Sequence, residues 1–370
     1  MKKKIAFLLP NFSTGGAEKV TSILANEFAN KGFSIDLVLL DAHGELLTTL
    51  DSRINVIDLK SSRIRQGFLP LLQYLKAERP DTLLALMWPL TLLAVLAFKL
   101  ANLPGRVVVS DRTTYSQSPL LKSRLNRFIF KSSIPLIYPL ANARLAVSAG
   151  VADDLSNLSR INRDNITVVH NPISQNIPAF SMQQQQTAWQ NFHGKKIVAV
   201  GSLKWAKNYP LLLQAFAILL QKEQAILTIV GQGELLSELE LNAKKLGIEA
   251  YVQFVGFSKV PQKWIASADL FVLSSHYEGL PNVIIESLAM GTPIVSTDCK
   301  SGPREILCDG KYGKLVPVND IDAFAQAMLQ SLKEEHDIEG LKKRAADFSV
   351  DKIAAQYLDI MFPERLVKND

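Results

Sequence analysis

Short runs of consecutive apolar residues, bounded by Gly, Pro or polar side chains, alternate along this chain with longer segments whose apolar residues recur at helical spacing. In the first half the runs are Lys4–Leu9, Ser34–Leu40, Asn55–Leu59, Thr82–Met87, Arg106–Ser110, Ala143–Val147 and Ile166–Val169, each read as a strand. The periodic segments between them include Glu18–Lys31, with Val20, Ile23, Leu24 and Phe28 on one face, Phe68–Arg79 stopped by Pro80, and Leu90–Leu100. Ser148 reads as the N-cap of a further helix starting at Val151. This alternation predicts a doubly wound parallel sheet.

The pattern fades over residues 174–194, which are polar and read as a linker with a loose helical turn. It resumes with strands at Ile197–Val200, Ala225–Val230, Val252–Phe257, Leu270–Leu273, Ile294–Ser296 and 313–317. The helices expected among them are Tyr209–Leu220, a segment ending near Leu246, Pro261–Ala266, Asn282–Met290, Pro303–Leu307, Ile321–Leu332 and Ile338–Phe348. A chain of 370 residues exceeds what one core usually supports. The expected division is a domain over 1–172, a linker over 173–194, a second domain over 195–348 and a terminal helix over 349–370, frayed at Lys368-Asn369-Asp370.

Composition narrows the class. Hydrophobic content of 48% and charged content of 21% are those of an ordinary folded protein. The two cysteines, Cys299 and Cys308, have no metal-ligand spacing around them, and a reduced cytoplasmic protein is the plain reading. Ile5–Leu9 is too short for the apolar core of a secretory signal. The most apolar stretch, Leu83–Phe98, is interrupted by Pro89, and a membrane span needs about 20 such residues. A buried strand followed by a buried helix fits it better.

Charge is unevenly placed. Residues 1–170 carry 21 basic against 13 acidic side chains, a net +8, whereas residues 171–370 carry −2. A basic half suits anionic lipid headgroups, a pyrophosphate-bearing acceptor or nucleic acid. No zinc spacing, homeodomain-like helix or aromatic RNA-binding signature accompanies it, so nucleic acid is the weakest of the three. Ser118–Tyr138 sets Leu121, Leu125, Phe128 and Ile129 among Lys122, Arg124, Arg127 and Lys131. Two readings stand for it: a membrane-surface helix or an ordinary surface helix.

Several strand ends carry glycine. Gly15-Gly16 follows the first strand and precedes a helix, and Gly201, Gly231, Gly233 and Gly256 follow strands of the second domain. Each is weak alone; together the glycines of the second domain place backbone amides on one rim, as a nucleotide cleft requires. The most informative stretch is Ala268–Leu307, a strand, the loop Ser274-Ser275-His276-Tyr277-Glu278-Gly279-Leu280-Pro281, the helix Asn282–Met290, a strand and another helix start. Glu278 lies in the loop and Glu286 eight residues on, inside the helix. Acceptor-only carboxylates there suit the vicinal hydroxyls of a sugar or ribose. Spacing alone leaves Glu286 equally readable as a solvated or capping helix residue.

Glu278 and Glu286 around the Glu-Gly-Leu-Pro helix opening resemble the nucleotide-sugar site of the retaining glycosyltransferases of family 4, and Gly15-Gly16-Ala17-Glu18 matches the same family's first loop. The resemblance implies an α/β protein of the GT-B fold, two facing doubly wound Rossmann-like domains with a cleft between them. It implies that Glu286 binds the ribose hydroxyls and Glu278 the donor sugar. Gly279, Leu280 and Asn282 would lie near sugar and phosphates, and Phe257 on the donor side. Lys207 would neutralise the leaving diphosphate; as an alternative it is a solvated loop lysine. Glu18, Asp111 and Arg112 are acceptor-side candidates. Where the family usually has Gly-Arg, this chain has Gly201-Ser202. Ser202 cannot supply the second cation, so Lys204, Arg304 or Arg112 compensates, or transfer is weak.

The resemblance thus implies retaining transfer of a hexose or N-acetylhexosamine from a nucleotide sugar, expected to be UDP-linked, to a lipid-linked, lipopolysaccharide or polysaccharide acceptor. Neither a cofactor nor a metal is expected, because no Asp-x-Asp signature stands at a strand end. The expected location is the inner face of the cytoplasmic membrane, held peripherally on its anionic surface. Alternatives are a small soluble acceptor, or a catalytically weak sugar-nucleotide-binding scaffold. A hydrolase using the two glutamates would have no need of a diphosphate clamp. The oligomeric state is not legible.

Overall fold

The computed structural model describes residues 2–13, 15–173, 181–189 and 192–363. Part of the expected linker and the expected frayed end therefore lie outside the described residues. The chain divides into two units, Met1–Ser174 with Ser349–Asp370, and Gln175–Phe348.

The first unit contains strands β1 (Lys4–Leu9), β2 (Ser34–Leu39), β3 (Asn55–Asp58), β4 (Thr82–Leu86), β5 (Arg106–Asp111), β6 (Ala143–Ala146) and β7 (Thr167–Val168). They form one sheet in the order β3-β2-β1-β4-β5-β6-β7. The second unit contains β8 (Lys195–Val200), β9 (Ala225–Val230), β10 (Val252–Gly256), β11 (Leu270–Leu273), β12 (Ile294–Thr297) and β13 (Lys314–Val316), ordered β10-β9-β8-β11-β12-β13. Neighbouring strands are parallel in both sheets. Helices cover both faces, which is why β4 and β9 are buried at every position and read as unbroken apolar runs. The doubly wound reading holds. In each sheet the order reverses once, between β1 and β4 and between β8 and β11.

Two elements depart from expectation. The first helix is Gly16–Asn30 rather than Glu18–Lys31. Gly15 is its N-cap, so the glycine pair opens the helix instead of filling a loop. The basic segment is not one helix over 118–138. Ser118 and Ser123 each turn a hydroxyl onto a following backbone N–H, at Leu120 and Asn126, and so act as N-caps. They divide it into the turn Pro119–Leu121, the helix Arg124–Ile137 and the turn Tyr138–Leu140.

The last helix, Val350–Met361, buries Ile353, Ala354, Tyr357, Leu358 and Met361 in the core of the first unit, beside Leu24 and Phe28 of the first helix. Ile173 and Ser349 form a parallel bridge, so the chain leaves and re-enters this unit side by side. Arg112 pins both crossings: Nη1 donates to Asn171 Oδ1 at 2.8 Å and Nη2 to the Tyr357 hydroxyl at 3.3 Å. In the second unit Trp189 is fully buried, packs edge-on against Trp264 at 5.6 Å and donates Nε1 to Ser267 Oγ at 2.9 Å.

Asp111, at the end of β5, is wholly buried. Its Oδ1 accepts from Tyr115 at 2.6 Å and Tyr138 at 3.1 Å, and the Tyr115 oxygen accepts from Trp88 N at 2.9 Å. Phe130 packs against Trp88 and Tyr115, so this cluster fastens the basic helix from beneath. Burial pushes the Asp111 carboxyl from 3.8 up to about 6, with the two hydroxyls restraining the rise. The folded state then binds this proton more tightly than the unfolded chain. The contribution of Asp111 is greatest below the unfolded value and falls as pH rises through the folded one, by on the order of 3 kcal/mol. In Asp111→Asn the same oxygen still accepts from both tyrosines while the titration is gone. The Tm of the variant relative to wild type is expected to climb between about pH 4 and about pH 7. A difference that stays flat would show that Asp111 does not titrate there.

Candidate active site

The site in the second unit is assembled from loops at the β8/β11 reversal. After β8, Gly201 donates to Val230 O at 3.0 Å and Leu203 to Gln232 O at 3.0 Å, which lays this loop against the one after β9. The fit requires glycine: at Gly231, φ is +154° and a Cβ would stand 1.9 Å from the Gly201 oxygen. A Cβ on Gly233 would reach 2.4 Å from the Leu203 oxygen. Gly231 N in turn donates to Gly256 O at 2.8 Å, so three strand ends share one rim. Phe257, just beyond β10, is exposed.

The loop after β11 is tied to the loop after β8 by two links. His276 N donates to Ala206 O at 2.8 Å, and Ser274 Oγ to Lys207 O at 2.8 Å. Between these ties Lys207 Nζ meets Glu278 Oε1 at 2.7 Å, with side chains only 18% and 14% exposed. The same oxygen accepts from Ser275 Oγ at 2.7 Å. The Tyr209 hydroxyl donates to Gly201 O at 3.0 Å, holding the start of the helix Tyr209–Leu220 to the end of β8. Asn208 adopts left-handed backbone before that helix (φ +47°) and donates Nδ2 to Asn319 Oδ1 at 3.2 Å.

Pro281 precedes the helix Asn282–Met290, which Gly291 ends at φ +71°. Glu286 is half-buried in its second turn, and Asn282 and Gly279 are half-buried at its opening. Leu280 is buried. Beneath them Ser301 Oγ donates to Gly279 O at 2.8 Å, and Gly302 (φ +94°) brings its backbone so close that a Cβ would lie 2.4 Å from Pro281 Cδ. The Cys299 thiol is buried and pushed up to about 12, chiefly by desolvation, which makes it unreactive.

The expected residues thus fall into separate groups. Lys207, Glu278 and Gly201 come together; Gly231 and Gly233 form the adjoining rim; Gly279, Leu280, Asn282 and Glu286 line the helix opening. Ser202 and Lys204 are exposed in the loop after β8. Arg304 is engaged by Asp298 and by Asp309 at 3.2 Å. In the first unit, Glu18 folds over the helix start: a Cβ on Gly15 would meet its Oε2 at 2.2 Å. Burial raises the Glu18 pKa, opposed by its own backbone N–H and by the charge of Arg112. Gly15 and Gly16 are exposed there. Asp111, expected to face an acceptor, is instead inside the tyrosine cluster, because β5 extends one residue further than its apolar run and turns that side chain inward. Ser275, Tyr209 and the Trp205–His276 stack were not anticipated; the Ser-Ser pair before His276 was the available signal.

Among the described residues no group of three or more His, Cys, Asp or Glu side chains is placed to hold a metal ion. None of the described helices is long and apolar enough to cross a membrane.

Residues 183–348 match the family described as glycosyl transferases group 1, and residues 14–176 match glycosyltransferase family 4. The N-acetylgalactosamine-N,N'-diacetylbacillosaminyl-diphospho-undecaprenol 4-alpha-N-acetylgalactosaminyltransferase of Campylobacter jejuni is 30% identical over 355 residues, 93% of this chain and 94% of the relative. The amylovoran biosynthesis glycosyltransferase AmsD of Erwinia amylovora is 26% identical, covering 97% and 99%. Among solved structures, Anabaena Alr3699/HepE in complex with UDP and glucose has a TM-score of 0.81 at 19% identity, over 96% of this chain and 98% of that one. Fold and site together define a glycosyltransferase of the GT-B fold. The chain belongs to glycosyltransferase family 4, and it is an enzyme of that class.

The Lys207–Glu278 pair is coupled, and its members are not independent. Removing one partner strands a partly buried charge, whereas removing both does not. Lys207→Met with Glu278→Gln should therefore be less destabilising than the sum of the single changes, by about 1–3 kcal/mol. Calorimetric unfolding of the four proteins measures this; additive losses would show that the pair contributes no coupling.

Proposed function

We propose that this enzyme is a retaining glycosyltransferase that moves a hexose or N-acetylhexosamine from a UDP-sugar to a growing lipid-linked or polysaccharide acceptor. The Lys207–Glu278 pair at the β8/β11 reversal carries the reading, because it sets a cation and a sugar-binding carboxylate side by side. Transfer breaks the bond between the anomeric carbon and the diphosphate oxygen and forms one to an acceptor hydroxyl on the same face. The hydroxyl proton passes to the departing diphosphate. Charge grows on that diphosphate as the bond breaks, so a cation aimed there lowers the barrier.

In the unliganded protein Lys207 is neutralised by Glu278. An arriving diphosphate offers Lys207 more negative charge and draws it away, which frees Glu278 for donor-sugar hydroxyls. Ser275 keeps the carboxylate oriented during the exchange. Glu286 accepts from the two ribose hydroxyls, and the glycine rim lets backbone approach the phosphates. These roles need no metal. With Arg304 engaged by aspartates and Arg112 by Asn171 and Tyr357, the cation that replaces the usual arginine at Ser202 is Lys204, two residues along the same loop. Ser202 is also the observation favouring the second reading, a sugar-nucleotide-binding scaffold with weak transfer.

Titration calorimetry with UDP, GDP and ADP is the test, using Glu286→Ala as the control. UDP should bind in the micromolar-to-millimolar range, and loss of hydrogen bonds to a charged group should weaken it about ten- to hundredfold in the variant. Absence of binding by any of the three would overturn the reading. Binding of GDP or ADP instead would replace only the UDP assignment.

The acceptor class follows the relatives. One is described as adding its sugar to a diphospho-undecaprenol-linked saccharide and another as acting in amylovoran biosynthesis. Such acceptors sit at a membrane, and the helix Arg124–Ile137 suits one. Leu125, Phe128 and Leu136 are 66%, 70% and 74% exposed, with Ile129 beside them. On a helix these positions share one stripe, bordered by Arg124 and Lys131. An apolar stripe beside cations matches the headgroup–acyl boundary of an anionic bilayer, and each cation adds about 1 kcal/mol near such a surface. These features support a peripheral location on the cytoplasmic membrane's inner face as part of the proposal. The protein should cosediment with phosphatidylglycerol vesicles but not with phosphatidylcholine vesicles, and Leu125→Ser/Phe128→Ser should abolish this while leaving UDP affinity unchanged. Retained sedimentation of that variant would remove the helix from the membrane contact.

A further inference from the structure

The first sheet has a second edge, at the amino ends of its strands, and a cavity of about 320 Å³ opens there. Residues that lead into four neighbouring strands line it: Lys3 before β1, Asp81 before β4, Arg106 opening β5 and Asn142 before β6. Arg79 and the end of the terminal helix, Met361 and Phe362, complete the wall. Gly15, Glu18 and Arg112 follow the carboxyl ends of these strands, so the cavity shares no residue with the sites described above.

The frame of the cavity is fixed. Lys4 N donates to Asp81 Oδ2 at 2.7 Å, Arg106 N to Asp81 O at 2.8 Å, and Val107 N to Asn142 Oδ1 at 2.9 Å. The Thr82 hydroxyl donates to Met361 O at 3.4 Å, which ties the end of the terminal helix to β4. One Asp81 oxygen is thus committed to the backbone. Asn142 has turned its oxygen to Val107, which leaves its amide NH2 to donate.

The cations here have no such partners. Lys3 Nζ lies over the Phe362 ring at 5.1 Å. Arg106 Nε is buried and has no hydrogen-bond partner among the described residues. A buried donor without an acceptor is rare in folded proteins and calls for an explanation. Neither Arg79 nor Arg106 forms an ion pair among the described residues, and three like charges round one cavity repel each other. Helix ends offset part of this, because Phe68–Glu78 and Val350–Met361 both finish at this edge and a cation suits a helix C-terminus. Arginines that serve carbonyls in this chain do so directly, however, as Arg144 Nε does at Asn165 O and Arg344 Nε at Ile306 O, both at 2.9 Å. The side chains of Arg79 and Arg106 make no such bond among the described residues.

We propose that this cavity is a binding site for a phosphate-bearing ligand, with Arg79, Arg106, Lys3 and the Asn142 amide as its donors. Phosphate oxygens accept from planar guanidinium forks, and the charge of the ligand relieves the repulsion among the three cations. The volume is at the small end of ligand sites. The ligand is either a soluble phosphate compound or the headgroup of a phospholipid, which present the same chemistry. The site stands independently of the nucleotide-sugar site in the second unit.

Sodium diphosphate is the probe, titrated calorimetrically into full-length protein carrying Lys207→Met/Glu278→Gln, so that the donor-site cation does not contribute. It should bind in the micromolar-to-millimolar range. Adding Arg79→Gln/Arg106→Gln should weaken it about tenfold or more, as expected for lost charge-assisted hydrogen bonds. Adding Asp81→Asn instead keeps an oxygen for Lys4 N but removes a negative charge, and should tighten binding about two- to threefold. A misfolded variant cannot give that gain. Absence of diphosphate binding, equal binding after Arg79→Gln/Arg106→Gln, or failure of Asp81→Asn to tighten it would each overturn the proposal. Cosedimentation with phosphatidylglycerol vesicles separates the two sources. A headgroup ligand predicts a severalfold loss of sedimentation in Arg79→Gln/Arg106→Gln, whereas a soluble ligand predicts unchanged sedimentation with diphosphate binding lost.

Discussion

Parallel strands bring residues distant in sequence to a common edge, and the strand order reverses at one place along it. In the second sheet that place lies between β8 and β11, strands with two others between them in sequence. Everything proposed for the donor site depends on this reversal. It puts Lys207, on one loop, within 2.7 Å of Glu278, on another, across 71 residues of chain. The hydrogen bonds His276–Ala206 and Ser274–Lys207 then fix the two loops as one surface. A cation and a carboxylate held this way compensate each other's charge at rest. In the proposed reading the same two groups become a phosphate ligand and a sugar ligand once a diphosphate competes for the lysine.

The first unit uses the same sheet logic for a different purpose. Its reversal places the glycine pair Gly15-Gly16 at a helix start, with Glu18 folded over it and Arg112 close enough to oppose the rise in its pKa. Arg112 also binds Asn171 and Tyr357, where the chain leaves and re-enters the unit. One guanidinium therefore serves the strand end, the exit segment and the terminal helix, which explains why it is not a spare cation. Below it Asp111 fastens the basic helix through two tyrosines, so the exposed apolar stripe rests on a rigid aromatic base.

How much of this was legible in the sequence follows from the range of each interaction. The strands were readable because parallel strands covered on both faces are continuous apolar runs. Helix ends were readable where chemistry is local, as at Gly291 and Pro80. The start of the first helix was misplaced because Gly16 has no side chain and Ala17 only a methyl, too little to mark a face. The basic segment looked continuous because its apolar spacing persists through the caps at Ser118 and Ser123. In the candidate site, Glu278, Glu286 and Lys207 stood out through their loops, but their partnership did not. No local pattern announces that Ser275 orients Glu278, that Tyr209 holds the end of β8, or that Trp205 lies on His276. Asp111 was misjudged for a related reason: a charged residue at a strand end reads as facing outward until two tyrosines, four and 27 residues later, are seen to enclose it.

The departure at Ser202 is best understood against that geometry. The family resemblance implies two cations at the diphosphate, both on the loop after β8. Here one of those positions is a hydroxyl, and the remaining lysine begins paired. The electrostatic demand does not vanish, because the charge that grows as the anomeric bond breaks is set by the reaction and not by the protein. In the proposed reading it is met by Lys207 after exchange, by the amides at the start of the helix Tyr209–Leu220, and by a cation near Ser202. Arg304 is already shared between Asp298 and Asp309, so recruiting it would expose two carboxylates to the incoming phosphates. Lys204 carries no such penalty, and its flexible stem lets it follow the diphosphate as the bond lengthens. A point charge on a mobile chain gives less geometric selectivity than a planar guanidinium.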